Sequence, residues 1–233
     1  MKKIYYITAV FATLFLVGCG DGIDLPGVNV ETDLNKIPLP DNNVNLEQVE
    51  LKPSTEPMLH EGLHTEEDFQ RIRDKKAAGE EPWVSAYQLL VESQFSQKTA
   101  DTYPTEWIKR GISGDENYMN AARGATIVYQ QALRWKIEQD DEYAAKAVEN
   151  LNKWVQTCAG VTGNTNLSLA AGLYGYEFAI AGELLRDYGG WDRADFAAFQ
   201  NWLLKVFYPA NDDFLKRHHD TNALHYWDNW CLC

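Results

Sequence analysis

Apolar residues recur at steps of three and four through two long stretches in the middle of the chain. In the first, Glu116 to about Gln139, the residues Ala121, Ala125, Val128, Ala132 and Trp135 fall on one stripe. In the second, Asp141 to about Cys158, the stripe is Ala144, Ala147, Val148, Leu151, Trp154 and Val155. Side chains at these spacings share a helix face, so each stretch predicts an amphipathic helix with a polar back. Leu167 to Tyr188 is different: Leu169, Ala170, Ala171, Leu173, Tyr174, Tyr176, Phe178, Ala179, Ile180, Ala181, Leu184 and Leu185 surround the axis. A helix apolar on all sides is expected to be buried on all sides. Its Gly172, Gly175 and Gly182 each cost about 1 kcal/mol in helix propensity, which close packing has to offset.

The flanking segments read as helices too. Thr65 before Glu66, Glu67 and Asp68 is an N-cap signal with acids in the first turn, and Gly79 is a stop. Pro82 suits the first turn of a helix to about Gln97, and a loop with Pro104 and Gly111 to Gly114 follows, with a docking turn around Trp107. Asp192 or Arg193 opens an amphipathic helix to about Phe207, with Pro209 as its stop. Strand signals are weak, with no sustained alternation and no Asn-Gly turn. Amphipathic helices alternating with buried ones, joined as antiparallel hairpins, predict an all-α fold of the α/α toroid or solenoid kind.

The N-terminal end is of another character. Lys2 and Lys3 precede the uncharged run Ile4 to Gly18, fifteen residues long, too short to cross a bilayer core of about 30 Å with ease. Residues 1–18 therefore read as a signal peptide. Leu16-Val17-Gly18-Cys19 resembles the bacterial lipoprotein box, which implies acylation of Cys19 and a lipid anchor on a bacterial membrane, periplasmic or at the cell surface. Residues 19–57 are rich in Asp, Asn, Glu and Pro, bury little apolar area and read as a flexible acidic tether. Residues 58–233 remain for the globular domain.

Charge narrows the partners. With 21 Lys and Arg against 34 Asp and Glu, the 233 residues carry a formal charge of −13, which argues against general nucleic-acid binding. With Cys19 acylated, Cys158, Cys231 and Cys233 remain; this odd set lacks a C-x-x-C spacing and indicates neither a disulfide framework nor a structural metal. A bridge from Cys158 to Cys231 or Cys233 stays open. No cofactor is indicated, and a monomer is expected.

Two stretches carry candidate chemistry. Gly163-Asn164-Thr165-Asn166 feeds directly into the buried helix, presenting amides at a helix N-terminus, a ready anion site; the alternative is that Thr165 or Asn166 simply caps the helix. The second runs from Lys216 to Trp230, where three of the five His (His218, His219, His225) lie near Arg217 and Asn222, followed by Tyr226, Trp227 and Trp230. A local positive patch on an acidic chain suits an anionic ligand, and flat aromatic faces suit sugar rings. A metal site is the weaker reading, because His218 and His219 cannot point the same way on a helix.

The run Asn166-Leu167-Ser168-Leu169-Ala170-Ala171-Gly172-Leu173-Tyr174-Gly175-Tyr176, then Trp202-Leu203 with Phe207-Tyr208-Pro209, then His225-Tyr226-Trp227-Asp228-Asn229-Trp230 resembles the alginate lyase family of polysaccharide lyases. The resemblance covers roughly residues 58 to 233, with specific motifs only in the last seventy. It implies an α/α toroid whose cleft takes an acidic polysaccharide and breaks it by β-elimination. Removing the proton at C5 of a uronate places charge beside a carboxylate, so donors must first neutralise that carboxylate, and a Tyr or His within hydrogen-bond reach then moves the proton. In the family, an Asn and a His neutralise and a Tyr helped by an Arg acts as base and acid. The resemblance carries these roles onto Asn166 and His225, with Asn222 as a second amide, Arg217 and His218 as further substrate contacts, and Tyr226, Trp227 and Trp230 lining the subsites.

The family continues past a motif like Asn229-Trp230 with helices bearing its Arg and Tyr, whereas this sequence ends at Cys233 and has Cys231 where an acid is expected. An incomplete toroid with reduced or no activity in this form is the resulting expectation. Two other readings stay open: a non-catalytic surface glycan-binding lipoprotein, and a glycoside hydrolase using Asp220 and Asp228, which no motif marks as a pair.

Overall fold

The computed structural model describes residues 63–217. The expected signal peptide with Cys19, the expected tether, and His218, Asn222, His225, Tyr226, Trp227 and Trp230 lie outside the described residues. Arg217 is the last residue of the last helix.

Three of the described helices begin on a side chain of the N-cap residue that accepts from a free amide. Helix α1 (Glu66–Ala77) opens on a capping box in which the Thr65 hydroxyl accepts from the Asp68 amide (3.2 Å) and the Asp68 carboxylate accepts from the Thr65 amide (3.0 Å). Helix α2 (Trp83–Glu92) is shorter than its expected reach to Gln97, because Ser93 turns extended and its hydroxyl accepts from the Phe95 amide (3.3 Å), starting a 3-10 turn over Gln94–Ser96. Helix α3 (Tyr118–Glu138) ends on Gln139 in the left-handed region, and α4 (Asp141–Thr157) starts at once with the Asp140 carboxylate accepting from the Glu142 amide (3.0 Å). Helix α5 (Asn166–Leu185) is followed by α6 (Arg193–Val206), capped by Asp192 accepting from the Ala194 amide (2.7 Å).

Two expectations need correction. Trp107 lies in no docking turn: Trp107–Arg110 forms strand β1, which pairs in parallel with β2 (Gly160–Gly163), Trp107 opposite Gly160 and Arg110 opposite Gly163. Four residues are too few to show alternation, and pairing across fifty residues of chain leaves no local signature. Pro209 does not end the helical region either. It sits in the first turn of helix α7 (Tyr208–Arg217), where a missing N–H leaves no hydrogen bond unmade.

The described part is all-α apart from this strand pair, and its helices pack in two layers. Helices α3 and α5 run side by side in the same direction, since Thr126 meets Glu177 (3.4 Å) and Trp135 meets Tyr188 (ring centroids 5.6 Å) further along both. Behind them α4 and α6 are linked by the Asn152 amide donating to Asp195 (3.0 Å). Between the layers an aromatic chain runs Trp154, Phe178, Trp202, Phe207, with neighbouring ring centroids 5.5, 5.2 and 5.0 Å apart. Such pairs add about 0.5–1.5 kcal/mol each beyond their burial. The Trp202 indole donates to the Cys158 carbonyl (2.9 Å), so its one polar group is met. Cys158 is a buried free thiol, pushed up to about 11 by burial. Gly182 is where α5 comes closest to α6: a methyl there would overlap the Phe199 ring.

Candidate active site

The strand pair delivers two groups to the N-terminus of α5. Gly163 leaves β2 at φ +148, with its α-carbon so close to the Arg110 carbonyl that no side chain fits. The chain then turns, and the Asn164 side-chain oxygen accepts from the Asn166 amide (2.9 Å). Asn164 thus supplies the cap; the alternative that Thr165 or Asn166 does so is corrected, since Thr165 makes no side-chain cap bond. Asn166 is half-buried as the first helical residue. Its carboxamide makes no hydrogen bond among the described residues.

Arg110, at the end of β1, is the second group. Its guanidinium donates to the Tyr174 hydroxyl (3.2 Å) and lies 4.6 Å from the centroid of the Tyr118 ring. No carboxylate pairs with it among the described residues, whereas the adjacent Lys109 pairs with Asp115 (2.7 Å). The result is a positive charge held in place by aromatic groups and left available to an anion, in a chain that is otherwise strongly negative. Burial raises the Tyr174 hydroxyl, and the Arg110 charge works against that rise.

Along α5, Asn166, Leu173, Glu177 and Ile180 follow at steps of seven, four and three, and all are half-buried. This stripe corrects the expectation of a helix buried on every side: no residue of α5 is exposed, yet one face stays partly open. From α3, Tyr118, Ala122, Thr126, Tyr129 and Leu133 make a matching half-buried stripe. The stripes adjoin where the Thr126 hydroxyl donates to Glu177 (3.4 Å), so α3 and α5 present one continuous wall. At about 1.5 Å per residue, Glu177 lies ~16 Å along the wall from Asn166. The wall is long enough for several sugar units.

Titratable groups mark its deeper end. Burial pushes the Glu177 carboxyl up to about 7, against the pull of its Thr126 bond. The Tyr129 hydroxyl is raised to about 12 by burial first, then by Tyr176 and Glu177. It shares a 2.6 Å hydrogen bond with His64 Nε2. Burial lowers His64, with the Asp68 charge opposing, so its imidazole is neutral at pH 7 and free to accept. Among the described residues no group of three or more His, Cys, Asp and Glu is placed to hold a metal ion.

Of the residues singled out from sequence, Asn166 is therefore at the head of this wall. His218, Asn222, His225, Tyr226, Trp227 and Trp230 lie outside the described residues, and Arg217 closes α7. Sequence reasoning missed Arg110, which sits in a segment without a motif, and read Tyr174 only as core. Glu177 left a visible trace, an acid inside a helix otherwise apolar on every side.

No curated protein and no solved structure matches the chain. The sequence model of one family, described as alginate lyase, matches residues 72–233 and so spans α3 to α7 and the whole of this wall except His64. With well over half its length matched, the chain belongs to the alginate lyase family, a family of polysaccharide lyases.

Proposed function

We propose that this protein cleaves a uronate-containing polysaccharide such as alginate by β-elimination, along the wall formed by α3 and α5. The observation that carries the reading is the Asn166 carboxamide, which makes no hydrogen bond among the described residues, at the N-terminus of the helix whose Tyr174 receives the acid-free guanidinium of Arg110. Both donate, and both suit the carboxylate of a uronate. Their hydrogen bonds strengthen as the C5 proton leaves and negative charge spreads over the carboxyl group, a contribution of about 3 kcal/mol for one well-aimed donor. The electron pair from the C5–H bond forms a C4=C5 double bond, the C4–O4 bond breaks, and O4 takes a proton. Tyr174, whose hydroxyl accepts from Arg110, takes the proton-transfer role.

On the same reading, His225 completes the neutralising set with Asn222, and Arg217, His218, Tyr226, Trp227 and Trp230 line the subsites. The helical layers belong to an α/α toroid with the wall on its inner side. Glu177, raised to about 7, carries less negative charge near neutral pH than an ordinary carboxylate and so repels an acidic polymer less. Cys19 carries lipid and holds the domain at a bacterial membrane; among the described residues no helix is long and apolar enough to cross one.

Product chemistry tests the proposal. The protein is incubated with alginate and with other uronate polymers, and products are read both by ultraviolet absorbance and as new reducing ends. Elimination gives the two signals together. New reducing ends without absorbance would mean hydrolysis, and retention of polymer without either signal would mean a glycan-binding lipoprotein.

A further inference from the structure

Helix α3 has a second polar environment, on the side turned away from the Tyr118–Tyr129 stripe. There Asn120, Arg123, Gly124 and Ile127 form one wall of a cavity of about 320 Å³, and the segment from Gln94 to Tyr103 forms the other. Its volume falls at the small end of the range for small-molecule sites, with room for one sugar unit. We propose that this cavity is a second, non-catalytic binding site that holds a carboxylated sugar of the polysaccharide outside the cleavage wall; the identity of that ligand rests on the proposed substrate class.

The donors come first. Arg123 is exposed at the cavity and forms no ion pair or hydrogen bond among the described residues. The side chains of Gln94, Thr99 and Asn120, which line it as well, also make no hydrogen bond among the described residues. A guanidinium fork matches a carboxylate, and amides and hydroxyls match sugar hydroxyls. The single acid on the lining, Asp101, does not oppose an anion with a free charge, because Lys153 (2.6 Å) and Lys146 (3.5 Å) both pair with it.

Tyr103 supplies the flat face. Its side chain lines the cavity at 74% exposure, among the most exposed large rings of the described residues. Exposure of this degree leaves the ring little packing role. A sugar ring stacked on it would bury apolar area that now faces water.

The site is also rigid. The Gln131 side chain donates to the carbonyls of Gln97 (2.9 Å) and Ala100 (3.1 Å). Asn150 donates to Ala100 (3.1 Å) and to Gln131 (3.1 Å) and accepts from the Thr102 amide (3.3 Å). The Trp154 indole donates to the Thr102 hydroxyl (2.5 Å). Both amide side chains are fully buried, so the loop that carries Thr99 and Tyr103 is fixed before a ligand arrives, which lowers the ordering cost of binding.

Affinity electrophoresis of the 233-residue chain through gels cast with alginate or polygalacturonate tests this, with a neutral glucan gel for comparison. Native protein is retarded in the uronate gels only. Arg123→Gln and Tyr103→Ala each weaken retention by about tenfold, the size expected from one charge-assisted hydrogen bond. Arg123→Lys recovers only part of it, and thermal melting stays as in the native chain. Equal retention of both cavity variants and native protein would overturn the proposal, as would native protein that no uronate gel retards or that the neutral gel retards equally. Failure of the lyase reading is seen separately, as absence of unsaturated product from native protein that the uronate gels still retard and whose cavity variants they retard less.

Discussion

Arg110 touches both inner helices at once: its guanidinium donates to Tyr174 on α5 across 3.2 Å and lies 4.6 Å from the ring of Tyr118 on α3. A residue from a four-residue strand thereby bridges the start of α3 and the middle of α5. Replacing Tyr174 by Phe keeps the packing and removes only the hydroxyl. The expected outcome is stability within about 1 kcal/mol of native and a kcat on uronate polymer about 100-fold lower with KM little changed. Denaturant titration and steady-state kinetics check the two halves.

Gly182 offers a test of the packing between α5 and α6. A β-carbon at this position would overlap the Phe199 ring, which is itself wedged between Trp191 and Trp202 with centroids 5.4 and 6.1 Å away. Gly182→Ala should gain helix propensity and still lose stability, by about 1–3 kcal/mol, since overpacking outweighs propensity. A lower urea midpoint with an unchanged slope is the reading that supports this.

Asn150 tests the buried polar network. Its side chain makes three hydrogen bonds to Ala100, Gln131 and Thr102 in a site without solvent access. Asn150→Ala leaves partners buried and unmet, and the expected cost is about 2–3 kcal/mol. Faster hydrogen exchange at the Thr102 amide would follow from the same loss.

Glu177 gives stability a pH dependence of known sign. Burial raises its carboxyl to about 7, so folding favours the protonated form. Its contribution is complete below the ordinary carboxylate range and is lost as pH rises through about 7. Glu177→Gln removes the titration. The variant should therefore gain stability relative to native between pH 5 and pH 8, measured by urea unfolding at each. A difference between the two proteins that does not change with pH would contradict the assignment.

The helices were legible because their signals are local. The Thr65 cap, the Asp141 start and the stripes on α3 and α4 each depend on residues within a few turns. The strands were not, because β1 and β2 have meaning only as a pair brought together by the helices between them. The candidate site divides in the same way. Asn166 stands out as an amide ahead of an apolar helix, whereas Arg110 acquires its character from Tyr118 and Tyr174, neither of which is near it in the chain except through the fold. His64 is similar: its bond to Tyr129 spans 65 positions. Asn164, not its neighbours, caps α5 because Gly163 takes φ +148 and aims the next side chain at the first free amides.

The central claim is that the Asn166 carboxamide quenches the carboxylate of a uronate during elimination. Its side chain supports no other part of the described structure, so Asn166→Ala should melt with the native protein. The decisive measurement is the rate of unsaturated product formation by native and Asn166→Ala protein at equal fold. The account predicts a fall in kcat of about 100- to 1000-fold; a variant that forms product at the native rate would contradict it.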